Sequence, residues 1–140
     1  MNRADELIAT LRLQPHPEGG FYRELFRSPH MVDPRDGRPL RRALSSIYFL
    51  LPAAERSRWH RVLSDEIWTH LEGDPLTLLT FEGEVRSTTL GPLVRGYDPM
   101  HVVQAGVWQA AEVEHGYALV ACFVAPGFEF DDFAIGDGPL

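Results

Sequence analysis

The sequence predicts an all-β domain, either a closed barrel or two packed sheets, preceded by one short N-terminal helix. Three observations carry this. Gly and Pro together make 23 of the 140 residues, above the ~12% of average usage, and they punctuate the chain too often for long helices. Between them lie eight or so short segments rich in large apolar, β-branched and aromatic residues. Only the N-terminus shows a helical period. At 140 residues the length predicts one domain, residues 1–140, able to bury a real core.

The helix is expected over Arg3 to Leu11. Asn2 can cap it, Asp5 and Glu6 sit in its first turn, and Leu7, Ile8 and Leu11 share one face. Strands are expected from there on, within about residues 21–135. Phe21 to Arg27 follows the turn-like PHPEGG, and Ser45 to Leu51 reads SSIYFLL. Glu66 to Leu71 and Leu76 to Phe81 flank the turn Glu72-Gly73-Asp74-Pro75. Glu82-Gly83-Glu84 forms a hairpin loop before Val85 to Leu90. Val102 to Gln104, Trp108 to Glu112 and Tyr117 to Val124 complete the set. The Arg-rich tract Arg35 to Arg42 reads as an exposed loop. In PGFEFDDF, Phe128 and Phe130 alternate with Glu129 and Asp131, as in an edge segment with aromatics inward and acids in water.

Composition excludes several chemistries. All 13 basic residues are Arg and Lys is absent, so there is no Schiff-base lysine and no P-loop lysine. One cysteine, Cys122, allows neither an intrachain disulfide nor a thiolate zinc cluster. It sits mid-strand and reads as a buried, inert small hydrophobe. A net charge of −7 argues against nucleic acid and anionic membranes as partners, since both need a positive field. The longest apolar run, Ala118 to Ala125, is too short to span a bilayer, and the N-terminus lacks a basic, then apolar, leader. A soluble cytoplasmic protein is the expectation.

The densest chemistry lies in Trp59 to His70. Strand alternation puts Glu66, Trp68 and His70 on one face and Ile67, Thr69 and Leu71 on the other. A mixed polar and aromatic face is expensive to bury unless each polar group finds a partner. A barrel interior holding a ligand or ion would supply partners; a solvated face is the alternative. His60, across the short turn at Leu63-Ser64-Asp65, can meet Glu66. The pair could act as acid and base, or hold a divalent metal with a third ligand. Tyr48, Trp68, Trp108 and Phe123 could line an aromatic pocket, or simply pack. Arg23 could reach an anionic group of a ligand, or form a surface or dimer salt bridge. His16, between two prolines and before Gly19-Gly20, reads as part of a rigid turn.

The stretch SRWHRVLSDEIWTHLEGDPL resembles the first motif of the cupin superfamily, and Gln104 to Gln109 echoes the second. PHPEGGFYRELFRS, SSIYFLL, LEGDPL, AGVWQAA and VAPGFEFDDF appear in the block order of the cupin 5 family, DUF985, over about Leu11 to Ile135. The resemblance implies a double-stranded β-helix, or jelly roll, and a homodimer with the N-terminal strands near the partner. It also implies a site of three His and one Glu, from which this chain departs. Val62 stands at the second His position, and Gln109 replaces the His of the second motif. His60, Glu66 and Gln109 then remain as metal ligands, with His70 able to substitute; losing two imidazoles weakens transition-metal binding. Three functions follow. The first is an isomerase- or epimerase-like enzyme with His60 as base, Glu66 orienting it or acting as acid, and aromatics holding the substrate. The second is a non-catalytic small-ligand binder. The third is a divalent-metal-dependent enzyme.

Overall fold

The computed structural model describes residues 2–137, so the expected domain runs at both ends into residues outside that range. Helix α1 spans Arg3–Thr10. The Asn2 side chain accepts the Asp5 N–H at 2.8 Å, relieving one orphan donor of the first turn. Leu7 of α1 joins Leu13, Leu50 and Leu119 in a small cluster, so the helix covers the outside of a sheet.

Thirteen strands follow among the described residues: β1 (Gln14–Pro15), β2 (Phe21–Arg27), β3 (Met31–Val32), β4 (Arg41–Arg42), β5 (Ser45–Pro52), β6 (Ser57–Val62), β7 (Asp65–Gly73), β8 (Leu76–Phe81), β9 (Val85–Leu90), β10 (Met100–Val103), β11 (Trp108–Glu112), β12 (Tyr117–Ala125) and β13 (Phe133–Ile135). Two 3-10 turns lie at Leu93–Arg95 and Phe130–Asp132. One sheet runs β1-β2-β5-β12-β7-β10, the opposing one β13-β6-β11-β8-β9, and β3 and β4 form a separate ribbon. The ladders are antiparallel throughout. Two sheets closed face to face with crossing connections make the jelly roll. No described helix is long and apolar enough to cross a membrane.

The core lies between the sheets. Phe49, Leu51, Trp68, Val120 and Cys122 come from the six-stranded sheet, and Leu76, Leu78, Leu90 and Ala111 from the other. Alternation explains the membership: even-numbered residues of β12, and of β7 up to the bulge that follows His70, point inward and odd-numbered ones outward. The expected strands at Phe21 to Arg27, Leu76 to Phe81, Val85 to Leu90 and Trp108 to Glu112 have those limits in the structure.

Three expectations need correction. Ser57–Val62 is a strand, because it is clamped between β11 and β13, though Arg58 and Arg61 hide its pattern. The tract at 35–42 is not merely a solvated loop. Arg41 is buried and holds Asp132 through two hydrogen bonds, at 2.9 and 2.8 Å, and Arg38 adds another at 3.0 Å. Residues 126–132 are no regular edge segment: Phe130 is half-exposed and Asp132 is buried, since the Arg pair repays the burial of that acid.

Candidate active site

A cavity of about 160 Å³ opens at one end of the barrel, lined in its depth by His16, Glu18, Tyr22, His60, Glu66 and Cys122. The turn between β1 and β2 supplies the first two. Gly19 and Gly20 take φ of +107° and +75°, open to glycine at little cost. A Cβ at Gly19 would collide with the Arg56 carbonyl, and one at Gly20 would stand 2.8 Å from the Phe49 ring. The two glycines therefore let the turn press against β5 and the start of β6. The Arg58 N–H then donates to the Glu18 carbonyl at 2.7 Å, and the Glu18 side chain lies beneath His60.

His60 is held by its Nδ1. That nitrogen lies 2.6 Å from the Arg58 carbonyl and 2.6 Å from Glu18 Oε2. Its N–H is aimed at the carbonyl, so the carboxylate forms an ion pair without a linear hydrogen bond. Burial alone would push the imidazole down; the Glu18 carboxylate overrides that and pushes it up to about 9, with a smaller contribution from Glu66. Glu18 responds in kind: burial opposes its charge, but His60 holds the carboxyl below its usual range. With Nδ1 engaged, Nε2 is the ring nitrogen left for a ligand.

Glu66 is set from the other side. Its Oε1 accepts Gln109 Nε2 at 2.9 Å, and Gln109 Oε1 accepts the Trp68 indole N–H at 2.8 Å. An indole N–H can only donate, so it fixes the amide orientation. Burial pushes the Glu66 carboxyl up, and the nearby His60 opposes this. The Cys122 thiol stands against the same carboxyl, and burial pushes it well up. His16 Nδ1 accepts the Glu18 N–H at 3.1 Å. An accepting Nδ1 requires a neutral ring, and burial pushes the His16 pKa down accordingly.

The rim is aromatic and ionic. Phe128, Phe130 and Phe133 meet edge to face, with centroids 5.0 to 6.0 Å apart. Arg27 binds both Glu24 oxygens at 2.9 Å, Glu129 at 3.1 Å and the Phe128 carbonyl at 2.8 Å. Asp132, fixed by Arg41 and Arg38, anchors the far end of this segment.

His60 and Glu66 thus do line one cavity, but the carboxylate paired with His60 is Glu18. Gln109 turns its amide nitrogen, not its oxygen, toward Glu66. Its oxygen, expected beside His60 and Glu66 as a neutral ligand, accepts the Trp68 indole N–H instead. Trp68 is buried in the core behind Glu66. His70 is outside the cavity, its Nε2 tied to the Asp74 carbonyl at 2.8 Å; a bulge in the β7–β12 pairing between Val120 and Leu119 adjoins it. Tyr48 packs with the helix cluster on the outer face, and Arg23 lies 5.9 Å over its ring. Trp108 carries Arg61 on its ring, and Phe123 points outward. The aromatic lining comes instead from Tyr22 and the three Phe of the rim. Cys122 is buried, as its sequence setting predicts, but that setting gives it no place in the site; Glu18 carries no role in the sequence, and His16 only that of its turn. The one local signal for Glu18 is Gly19-Gly20 directly after it, which marks a close backbone approach.

These donors do not fit a metal centre of the kind the fold family implies. Among the described residues no three His, Cys, Asp or Glu side chains are grouped to hold an ion. His60 Nδ1 is engaged by the Arg58 carbonyl and Glu18, the imidazolium they favour offers a metal no lone pair, and Val62 has no donor. Catalytic metal sites usually have three protein ligands.

Comparisons with known proteins place this geometry. A Leishmania major protein of solved structure superposes with a TM-score of 0.90 at 35% identity, over 96% of this chain and 88% of that one. A Shewanella oneidensis protein gives 0.86 at 41% identity, over 97% and 85%. The uncharacterized Saccharomyces cerevisiae protein YML079W is 29% identical across 91% of this chain and 72% of its own. Bacillus subtilis oxalate decarboxylase gives a TM-score of 0.64 at 11% identity, over 86% of this chain and 29% of that one, which is likeness of fold alone. The family described as "Cupin superfamily (DUF985)" matches residues 5–136, and with that span of the chain matched, the protein belongs to this family of cupins.

Proposed function

We propose that the protein is an isomerase- or epimerase-type enzyme that acts on a small molecule in the barrel-mouth cavity by proton transfer between side chains. The observation that carries this is the buried Glu18–His60–Glu66 set. It holds one imidazolium and one carboxyl of raised pKa around a single cavity. Groups poised this way are the acid and base of proton transfer at neutral pH. The assignment reverses the roles suggested by sequence. Glu66 removes a proton from carbon next to a carbonyl. His60 Nε2–H polarises the carbonyl oxygen and donates to the developing oxyanion. Glu18 keeps the imidazole charged and oriented, and Gln109 orients Glu66.

The test is deuterium uptake from D2O into small hydroxy-carbonyl compounds, followed by NMR. The wild-type protein should exchange a carbon-bound proton, and His60→Gln and Glu66→Gln should each lose about 10²-fold or more of that rate. Undiminished exchange in both variants would sink the assignment. A second reading, a binding protein without turnover, draws on one observation: an imidazolium with its pKa near 9 is a hydrogen-bond donor first and a poor base.

The homodimer implied by the family belongs here too. Strand β1 covers only Phe21 and Tyr22 of β2, leaving an open edge where Leu25 and Phe26 are 46% and 49% exposed. The Arg23 Nε beside it is buried without a partner. A second copy could cover that edge, and sedimentation velocity reads the outcome directly.

A further inference from the structure

The same cavity carries information about its ligand. We infer that it takes an uncharged polyhydroxy carbonyl compound of monosaccharide size or smaller, and that it discriminates against the corresponding acids. This rests on the cavity proposed above as the active site, but not on the proton-transfer roles.

Size comes first. About 160 Å³ is well below the ~300–1,000 Å³ of sites for drug-sized ligands, so the part of a ligand that enters the cavity is of monosaccharide size or smaller. Charge comes second. Four carboxylate side chains, Glu18, Glu24, Glu66 and Glu129, line the cavity against two cationic ones, Arg27 and His60. Four of the five Arg27 N–H donors are taken by Glu24, Glu129 and the Phe128 carbonyl, and His60 is already paired with Glu18. His16 is neutral. Both cations already carry carboxylate counter-ions, so an incoming carboxylate or phosphate adds to an excess of negative charge, and desolvating an anion without a cation of its own is heavily penalised.

Hydrogen-bonding capacity comes third. Glu18 Oε2 is buried 2.6 Å from His60 Nδ1 with no aligned hydrogen bond, and Glu66 has its Oε1 occupied, leaving Oε2. Both oxygens accept, whereas His60 Nε2–H donates. A ligand that satisfies all three presents one oxygen acceptor flanked by hydroxyl donors. The rim adds the faces and edges of Phe128, Phe130 and Phe133, which suit the C–H faces of such a compound. An amine would meet the imidazolium of His60 in the depth of the site.

The test is calorimetric or ligand-observed NMR titration of the full chain. Its probes are a panel of neutral five- and six-carbon aldoses and ketoses, with D-galacturonate and D-galactosamine as charged counterparts of D-galactose. The expected result is binding of at least one neutral sugar, with D-galacturonate and D-galactosamine each about tenfold or more weaker. Glu24→Gln/Glu129→Gln frees Arg27 at the exposed rim and should narrow or invert the preference against D-galacturonate. Equal or tighter binding of either charged sugar by wild type overturns the inference. So does binding of no neutral sugar, or a folded double variant whose selectivity is unchanged. Neutral-sugar binding without deuterium exchange would keep this inference and sink the catalytic reading. Exchange on an acid, lost in His60→Gln, would do the reverse.

Discussion

The two ends of the barrel interior are built from the same strands. On β7, Glu66 faces the cavity and Trp68, two residues on, lies in the core. On β12 the corresponding pair is Cys122 and Val120, and on β5 it is Ile47 and Phe49. One end is sealed by Leu76, Leu78 and Leu90 from the opposing sheet. The other meets His60 and Val62 of β6 and the Phe133 side chain of β13. Gln109 stands at the boundary, only 1% exposed. It takes the Trp68 N–H with one end and gives a hydrogen bond to Glu66 with the other. The contrast teaches that the strand period sets which side chains point inward, whereas the opposite wall sets whether an inward position is packed or chemical. It also predicts that the packed end governs stability and the open end governs ligand handling.

The sharpest way to break that division is at the packed end. Leu78→Ala should cost about 3–5 kcal/mol in denaturant unfolding, because a sealed site cannot collapse around the lost methyl groups. Ligand binding by the surviving folded fraction should be unchanged; a large loss of affinity would mean that the two ends are not separable.

A smaller loss is expected from Glu18→Gln at the open end. Moving the His60 pKa from 6.5 to about 9 corresponds to about 3 kcal/mol in favour of the charged ring, net of burial, with Glu18 the largest favourable contributor and Glu66 and the Arg58 carbonyl adding to it. The sign follows from linkage. The His60 contribution is complete below pH about 6.5 and disappears as pH rises through about 9. The Glu18 contribution is complete above its unfolded pKa of 4.5 and disappears as pH falls through its lowered folded value. The stability gap between wild type and Glu18→Gln should therefore be widest near pH 5–6 and close toward pH 10. A gap independent of pH would show that Glu18 acts by packing alone.

Gln109→Met tests the boundary. It leaves the Trp68 N–H and Glu66 Oε1 without partners, at about 1–3 kcal/mol, measured by thermal or denaturant unfolding. A neutral result would mean that Gln109 does not join the two ends.

Much of this was legible in the sequence because period-2 alternation and turn residues are local. Leu76–Phe81 and Val85–Leu90 lie either side of a hairpin loop written in three residues. Glu66 and His60 stood out because a polar, aromatic strand face demands an explanation. Tyr48 and Arg23 went astray because alternation gives two faces and does not say which one looks inward. His70 shares the Glu66 face by count, yet it lies outside the cavity, on the far side of Trp68. Glu18 was missed because its partner His60 is remote in the chain and nothing local joins them.

The sequence by itself determined the family, the all-β class, the short helix, the limits of four strands and the exclusion of lysine and thiolate-cluster chemistry. Each of these is written in residue type and short-range spacing. Only the tertiary structure decided that Glu18 rather than Glu66 charges His60, that Trp68 fixes the Gln109 amide, and that Arg41 and Arg38 bury Asp132. Those outcomes depend on which buried charges and donors find partners across the barrel. Pairing of that kind is set by long-range contact and desolvation, which no local pattern in the chain encodes.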